Sequence, residues 1–283
     1  MIAFSIIIPL YNKARTIRTT IESVLNQRYP HFELLVVDDG STDRCEDIVK
    51  SIQDERVRLF SKDNGGPGSA RNLGIRNAQS DWCILLDADD LMMDNALLEF
   101  ASVIESNPSA DMVVGNFELL ESGKTQSFHH KPLAPDVHQA FKSWFLKELM
   151  PCAGTYCCKT ELLKQFPFQE NIRRSEDTEV LFHLFRTAHI IRTNAIVMRY
   201  RRDYSIESRK RTTIGQDFQG HLNFDKEKSL WERICLYELY VEAKNNYPDE
   251  VDTIYPDMTH QWGLRVAYYF AFWYRAFRKR FGK

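Results

Sequence analysis

Short apolar runs alternate with helical periodicities along the first 116 residues. Phe4–Leu10 reads as a buried strand stopped by Pro9, and Ile17, Ile21, Val24 and Leu25 then recur at helical spacing behind Thr16 as cap. Glu33–Val37 is a second apolar run, Cys45–Ile52 a short helix and Val57–Phe60 a third strand. A loop, Gly65-Gly66-Pro67-Gly68, opens a helix from about Ser69 to Ala78. Trp82–Leu86 is a fourth strand, Ala96–Ile104 a helix and Asp111–Val114 a fifth strand. Strands alternating with helices at this spacing predict a mostly parallel, Rossmann-like α/β sheet flanked by helices.

The pattern loosens afterwards. Ser122–Asp136 is polar, carries His129 and His130, and reads as a loop over one edge of the site. Thr155–Cys158 is strand-like, Glu161–Phe166 a short helix, and a helix capped by Ser175 runs to about Ala188. Ile190–Arg202 reads as two short strands around Asn194. From about Asp217 the chain becomes helical, with Leu230, Ile234, Tyr237 and Val241 spaced for one face. Three pieces are expected: 1–116 and 117–214 as halves of one α/β domain, and 215–283 as a helical C-terminal extension.

Two strand ends carry the chemistry. The fourth strand stops at Asp87, Asp89 and Asp90, and the second at Asp38-Asp39-Gly40. Ligands of open α/β sheets collect outside the carboxyl ends of strands. Crowded carboxylates are unfavourable there without compensation, and an oxygen-only cluster suits Mg²⁺ or Mn²⁺. An acidic turn capping the next helix is the plainer alternative. Helix N-termini and glycine turns favour anions, so a nucleotide diphosphate suits the loop, although no G-x-G-x-x-G or Walker sequence is present. Further on, Val180, Leu181 and Leu184 follow Asp177 at helical spacing, which puts Asp177 on a core-facing stripe. Glu176, Glu179, His183 and Arg186 fall on the other face.

Whole-chain properties narrow the class. A formal charge of −2 over 283 residues argues against general nucleic-acid affinity. Six cysteines without zinc spacing suit a reduced, cytoplasmic chain. Phe4–Leu10 lacks the flanks of a signal peptide, and no apolar run is long enough to span a bilayer. The segment Trp262–Lys283 has no acid, six basic residues and nine aromatics, which suits either a membrane headgroup interface or a packing helix.

Ile8-Pro9-Leu10-Tyr11-Asn12, Val36-Val37-Asp38-Asp39-Gly40-Ser41, Gly68-Ser69-Ala70-Arg71-Asn72 and Leu86-Asp87-Ala88-Asp89-Asp90, in this order, resemble glycosyltransferase family 2, inverting enzymes of the GT-A fold. The resemblance is dense from residue 3 to about 116 and loose to about 206. It implies that Asp39 reads a uracil imide, with Pro9, Tyr11 and Arg71 lining the nucleotide pocket and Asp87 at the ribose or the metal's water. It implies Asp89 as ligand of Mn²⁺ or Mg²⁺, and Asp177 of Glu176-Asp177 as catalytic base. Tyr200–Ile206 resembles a family stretch near the donor phosphates, which implies Arg201 and Ser205 as diphosphate or acceptor contacts, as the Glu-Asp motif implies for Glu176. Arg202 stands where many relatives have histidine. The implied activity is metal-dependent transfer of a sugar, from UDP by expectation, to a glycan or lipid-linked acceptor, in the cytoplasm or on the inner face of a membrane. The competing readings are a sugar nucleotidyltransferase and a non-catalytic nucleotide-sugar-binding subunit. Arg209-Lys210-Arg211 extends the basic run, suited to closing over diphosphate, to anionic lipid or to plain solvation.

Overall fold

The computed structural model describes residues 1–129, 137–204, 213–225 and 228–281. The apolar runs become the centre of one sheet: β1 (Phe4–Leu10), β2 (Phe32–Asp38), β3 (Val57–Ser61) and β4 (Trp82–Leu85). β1 pairs in parallel with β2 and β4, and β2 with β3. The register sets Leu10 opposite Asp38 and Ile7 opposite Leu85. The carboxyl ends of three neighbouring strands therefore open on one edge, which carries the turns at Tyr11, Asp39 and Asp87.

Alternation along β1 builds a core on each face. Ile6 and Ile8 pack with Ile17, Ile21 and Val24 of α1 (Ile17–Leu25), Val49 of α2 (Cys45–Lys50) and Phe100 of α4 (Ala96–Ser106). Ile7 faces the other way, toward α3 (Pro67–Asn77). There a Cβ on Gly74 would lie 2.4 Å from Ile7 Cγ2, so the strand and helix approach as only glycine permits.

The second half makes the sheet mixed. The strand order is β3-β2-β1-β4-β8-β6-β9-β5, with β7 on β6. Here β5 is Leu91–Met92, β6 Met112–Glu121, β7 Lys124–Phe128, β8 Tyr156–Lys159 and β9 Ile190–Arg201. Antiparallel pairing joins β8 to both β4 and β6, whereas β6 and β9 run parallel. Two expectations are corrected. Much of the expected loop from Ser122 is a hairpin, turned by Ser122 and Gly123 at positive φ. Ile190–Arg201 is one strand through Asn194, because β6 continues alongside it and absorbs the irregularity as register shifts. His130, Ser205 and Arg209–Arg211 lie outside the described residues.

The helices α5 (Val137–Phe145), α6 (Thr160–Gln165), α7 (Glu176–Thr187), α8 (Leu230–Asn246), α9 (Val251–Ile254) and α10 (Trp262–Phe281) cover the Ile7 face. α8 is not the one-faced helix its spacing predicts. Glu232, Ile234 to Tyr240 and Ala243 are all buried while Leu230 is exposed, because α5 and α10 both pack on it. The C-terminal helices thus share a core with α5 and α7.

Candidate active site

The acidic turn after β4 is braced from beneath. Thr16 and Thr20 of the α1 region donate to the Ala88 carbonyl at 2.9 and 3.0 Å. The Thr16 hydroxyl is used there and does not cap its helix as expected. Asp90 is buried and accepts from the Arg201 backbone N–H at 2.9 Å. The Arg201 guanidinium reaches the Asp89 carbonyl, Thr19 Oγ1 at 2.9 Å and Thr20 Oγ1 at 3.1 Å. Arg201 is thereby a strut under the carboxylates, where the resemblance implies a diphosphate contact. Burial, then the charge of Asp87, pushes the Asp89 carboxyl up against the pull of Lys13, and Asp90 is driven well above the carboxylate range in the same way.

Asp89 Oδ2 accepts from Lys13 Nζ at 2.7 Å, and Lys13 also donates to the Tyr204 carbonyl at 3.1 Å. Among the described residues no group of three or more His, Cys, Asp or Glu side chains could hold a metal ion. Asp89 and the half-buried Asp87 are the carboxylates on offer. Mg²⁺ and Mn²⁺ suit such a site, because one or two carboxylates suffice when substrate phosphates complete the shell. Lys13 holds Oδ2 of Asp89, so Oδ1 is the oxygen such an ion would find open.

Asp39 closes the glycine loop. Its Oδ1 accepts from Lys62 Nζ at 2.7 Å and Gly65 N–H at 2.9 Å, and Oδ2 from Gly66 N–H at 2.7 Å. Four lone-pair sites minus these three bonds leave one acceptor site, on Oδ2. Gly66 takes φ 90° to aim its N–H inward, a conformation costly for any other residue. Pro9 does not stop β1 as expected but pairs with Val37 one residue before its end, beside this turn, and Tyr11 is 48% exposed at its lip.

Arg71, on α3, joins the two halves. It is buried, and its guanidinium donates to Asp87 Oδ1 at 2.8 Å and, through Nη1, to Glu176 Oε1, with the Phe168 ring 5.4 Å away. Burial pulls the Arg71 pKa down, but Asp87, Glu176 and Asp177 outweigh it and hold it above its usual value. Glu176 is buried in this pair and does not face solvent as its helical position predicts, because it is the first residue of α7 and reaches back to α3. Gly68 permits that approach: a Cβ there would sit 3.1 Å from Phe168 Cβ and 3.7 Å from Glu176 Cγ.

Asp177 follows, partly open at its surface. Ser175 precedes the helix in a left-handed conformation, but its side chain makes no cap hydrogen bond. Burial first, then the charge of Glu176, raises the Asp177 carboxyl to about 6 despite Arg71. Desolvation and the neighbouring carboxylates therefore outweigh Arg71 and the backbone N–H at Asp177. The result is a carboxyl able to exchange a proton near neutrality.

Asp39, Arg71, Asp87, Asp89, Glu176 and Asp177 thus lie on one edge, with Arg71 the common neighbour of Asp87, Glu176 and Asp177. Lys13, Lys62 and Cys152 were not singled out from the sequence. The thiol of Cys152 is raised by burial and by Asp90, Asp177 and Asp87, which places it among the carboxylates. Only Lys13 left a trace: a base directly after the first strand on an edge otherwise acidic.

Comparison with known proteins bears on the family and the fold. The profile of glycosyl transferase family 2 matches residues 5–167. An uncharacterized glycosyltransferase of Rickettsia bellii is 36% identical over 181 residues, 61% of this chain and 25% of that protein. A poly(ribitol-phosphate) beta-N-acetylglucosaminyltransferase of Staphylococcus aureus, TarS, is 30% identical over 184 residues, 62% of this chain and 31% of its own. The chain thus matches about a quarter to a third of the length of these relatives. The crystal structure of S. aureus TarS 1–349 in complex with UDP has a TM-score of 0.63 at 20% identity, covering 100% of this chain and 92% of that one. The same protein was also solved with UDP-GlcNAc. At that identity the likeness is one of fold, GT-A in type.

Proposed function

Because the chain belongs to glycosyltransferase family 2, we propose that it is an inverting glycosyltransferase that takes a sugar from a nucleoside-diphosphate donor, with UDP as the nucleotide. The observation that carries this reading is Arg71. It ties the strand-end carboxylate Asp87 to Glu176, and so sets the raised carboxyl of Asp177 beside the donor edge.

In this reading the uracil imide N–H takes the remaining acceptor site on Asp39 Oδ2, and Pro9 and Tyr11 flank the base. Asp89, with Asp87 beside it, would hold Mn²⁺ or Mg²⁺; the chemistry such an ion supplies is neutralisation of charge on the departing diphosphate. Asp177 takes the proton of the acceptor hydroxyl. The freed oxygen pair forms the new bond to the anomeric carbon, from the face opposite the diphosphate. The old carbon–oxygen bond breaks with its electrons leaving on UDP, and configuration inverts. A base with a pKa of about 6 is largely ionised at neutral pH yet still basic enough to help. The UDP assignment is supported by relatives solved with UDP and UDP-GlcNAc. The acceptor is expected to be a hydroxyl of a glycan or a lipid-linked glycan.

The test is nucleotide release from a panel of UDP-, GDP- and dTDP-sugars with Mn²⁺, with and without hydroxyl acceptors. Acceptor-stimulated release of UDP supports the proposal. Tight UDP binding with no release from any donor would favour a non-catalytic nucleotide-sugar-binding subunit instead.

A further inference from the structure

α10 has two unlike faces. One is docked: Leu264, Tyr268 and Ala271 are buried, and the Tyr268 ring packs 5.1 Å from Tyr237 and 6.0 Å from Phe145. Arg275 locks this face by donating to Glu238 Oε1 at 2.7 Å and to the Phe145 carbonyl at 2.8 Å. The other face carries Val266, Phe270, Trp273 and Phe277, spaced by four, three and four residues, which is one stripe of a helix. All four are exposed, Phe270 at 71% and Trp273 at 66%. Tyr269 and Tyr274 flank the stripe, also exposed. Among the aromatics of α10 with described side chains, Tyr268 is buried and Tyr269, Phe270, Phe272, Trp273, Tyr274 and Phe277 are exposed.

An exposed apolar stripe of this size on a folded domain is a contact surface. We propose that it is a lipid-docking face, on which α10 lies along an anionic membrane surface with its aromatics at headgroup level. Charge selects this occupant. Trp262–Lys283 carries six basic residues and no acid, on a chain whose formal net charge is −2. A two-fold pairing of the stripe with a second copy would bring identical patches together, basic helix on basic helix, where Arg275 is already matched by Glu238 but the helix itself offers no acid to the other basic residues. Anionic headgroups supply the missing charge, and Trp, Tyr and Phe interleaved with Arg and Lys suit that interface. No helix among the described residues is long and apolar enough to cross a membrane, so the contact is interfacial. The proposal goes beyond the transferase reading and does not depend on it.

The full chain is co-sedimented with vesicles of phosphatidylcholine alone and of phosphatidylcholine mixed with phosphatidylglycerol. Binding to the mixed vesicles, weakening with added salt, is expected. Phe270→Ser/Trp273→Ser/Phe277→Ser should lower that partition by about tenfold or more with the melting temperature largely kept, since Phe270 and Trp273 are mostly exposed and Phe277 stacks on Trp273. Arg265→Glu/Lys279→Glu keeps every aromatic and should lower it by about tenfold or more on mixed vesicles only; it stands in should the triple variant fail to fold. Failure of the wild-type chain to bind either vesicle, or binding unchanged in Arg265→Glu/Lys279→Glu, overturns the proposal. So does a wild-type dimer in sedimentation equilibrium that the triple variant dissolves while vesicles remain unbound, which would assign the stripe to a second copy.

Discussion

Lys13 Nζ and Asp89 Oδ2 are paired at 2.7 Å, across the mouth between the loop after β1 and the acidic turn after β4. Both side chains are largely shielded, at 17% and 10% exposure. The carboxylate best placed for a divalent ion is therefore held by an internal cation. An ammonium and a metal ion cannot share one carboxylate oxygen at contact distance. A divalent ion proposed at Asp89 would have Oδ1 open to it but would feel the Lys13 charge on Oδ2, so the two should oppose each other electrostatically.

Lys13→Met should accordingly raise Mn²⁺ affinity in the absence of nucleotide by about tenfold, the equivalent of ~1.4 kcal/mol. Electron paramagnetic resonance titration of free Mn²⁺ reads this directly. Unchanged affinity would mean that the pair and the ion do not meet at Asp89. If Lys13 instead moves onto the donor phosphates, the same variant will also bind UDP more weakly.

Asp89→Asn keeps the shape of the turn but replaces a charged ligand with a neutral amide. Calorimetric titration of UDP should show that Mn²⁺ no longer strengthens binding, while the metal-free affinity stays close to that of the wild type. A variant that retains the full Mn²⁺ enhancement removes Asp89 from the ligand set.

Arg71 is the cation that makes Asp87, Glu176 and Asp177 compatible. Arg71→Met would leave the buried Glu176 and the partly exposed Asp87 and Asp177 without their cation, a loss that solvent screening keeps below the about 3–5 kcal/mol of a fully buried pair. Thermal unfolding should show a fall of many degrees, since about 2–4 °C accompanies each kcal/mol in a domain of this size. A melting temperature within a few degrees of wild type would show that the three acids relax into solvent without their partner.

How far these relationships were legible in the sequence differs by region. The parallel strands were, because Ile6-Ile7-Ile8 and Leu34-Leu35-Val36-Val37 must be buried on both faces. The order of the later strands was not: β8 pairs between β4 and β6 through contacts remote in sequence, which no local pattern encodes. The same holds within the site. Asp39, Asp87 and Asp89 announce themselves as acids at strand ends. Glu176 was misplaced because periodicity describes the middle of a helix, whereas a first-turn side chain can reach back to a neighbouring element. The resemblance implies Arg201 as a diphosphate or acceptor contact, but a sequence does not show that Thr19, Thr20 and the Asp89 carbonyl each take one of its donors.

Glu176 and Asp177 are coupled through charge, so Glu176→Gln is informative about its neighbour. After burial, the Glu176 charge is the main influence raising the Asp177 carboxyl. Neutralising it should lower the Asp177 pKa and move the acid limb of the pH–rate profile to lower pH. The amide oxygen can still accept from Arg71, so the protein should remain folded. An unmoved limb would show that the limb does not report Asp177.

Asp177 itself decides the mechanism. Asp177→Asn keeps the volume and much of the hydrogen bonding but cannot accept the acceptor's proton, so transfer should fall by about 10²–10⁴. UDP affinity should hardly change, since the proposed role is on the acceptor side. Stability gives an independent sign. The carboxyl has an ordinary value of 3.8 and sits at about 6 in the fold. Between those values the folded protein keeps a proton that the unfolded chain has already lost, so stability falls as pH rises through that window and the full penalty applies above about 6. Asp177→Asn removes the penalty. Its melting temperature should exceed that of the wild type above about pH 6, and the gain should vanish below about pH 4. A helix-capping role gives the opposite pair of results, a lower melting temperature with activity per folded molecule preserved. The wild-type rate should lose half its value near pH 6 on the acid side, and no such limb should remain in the residual activity of the variant. Near-normal transfer by folded Asp177→Asn would move the base elsewhere on the edge.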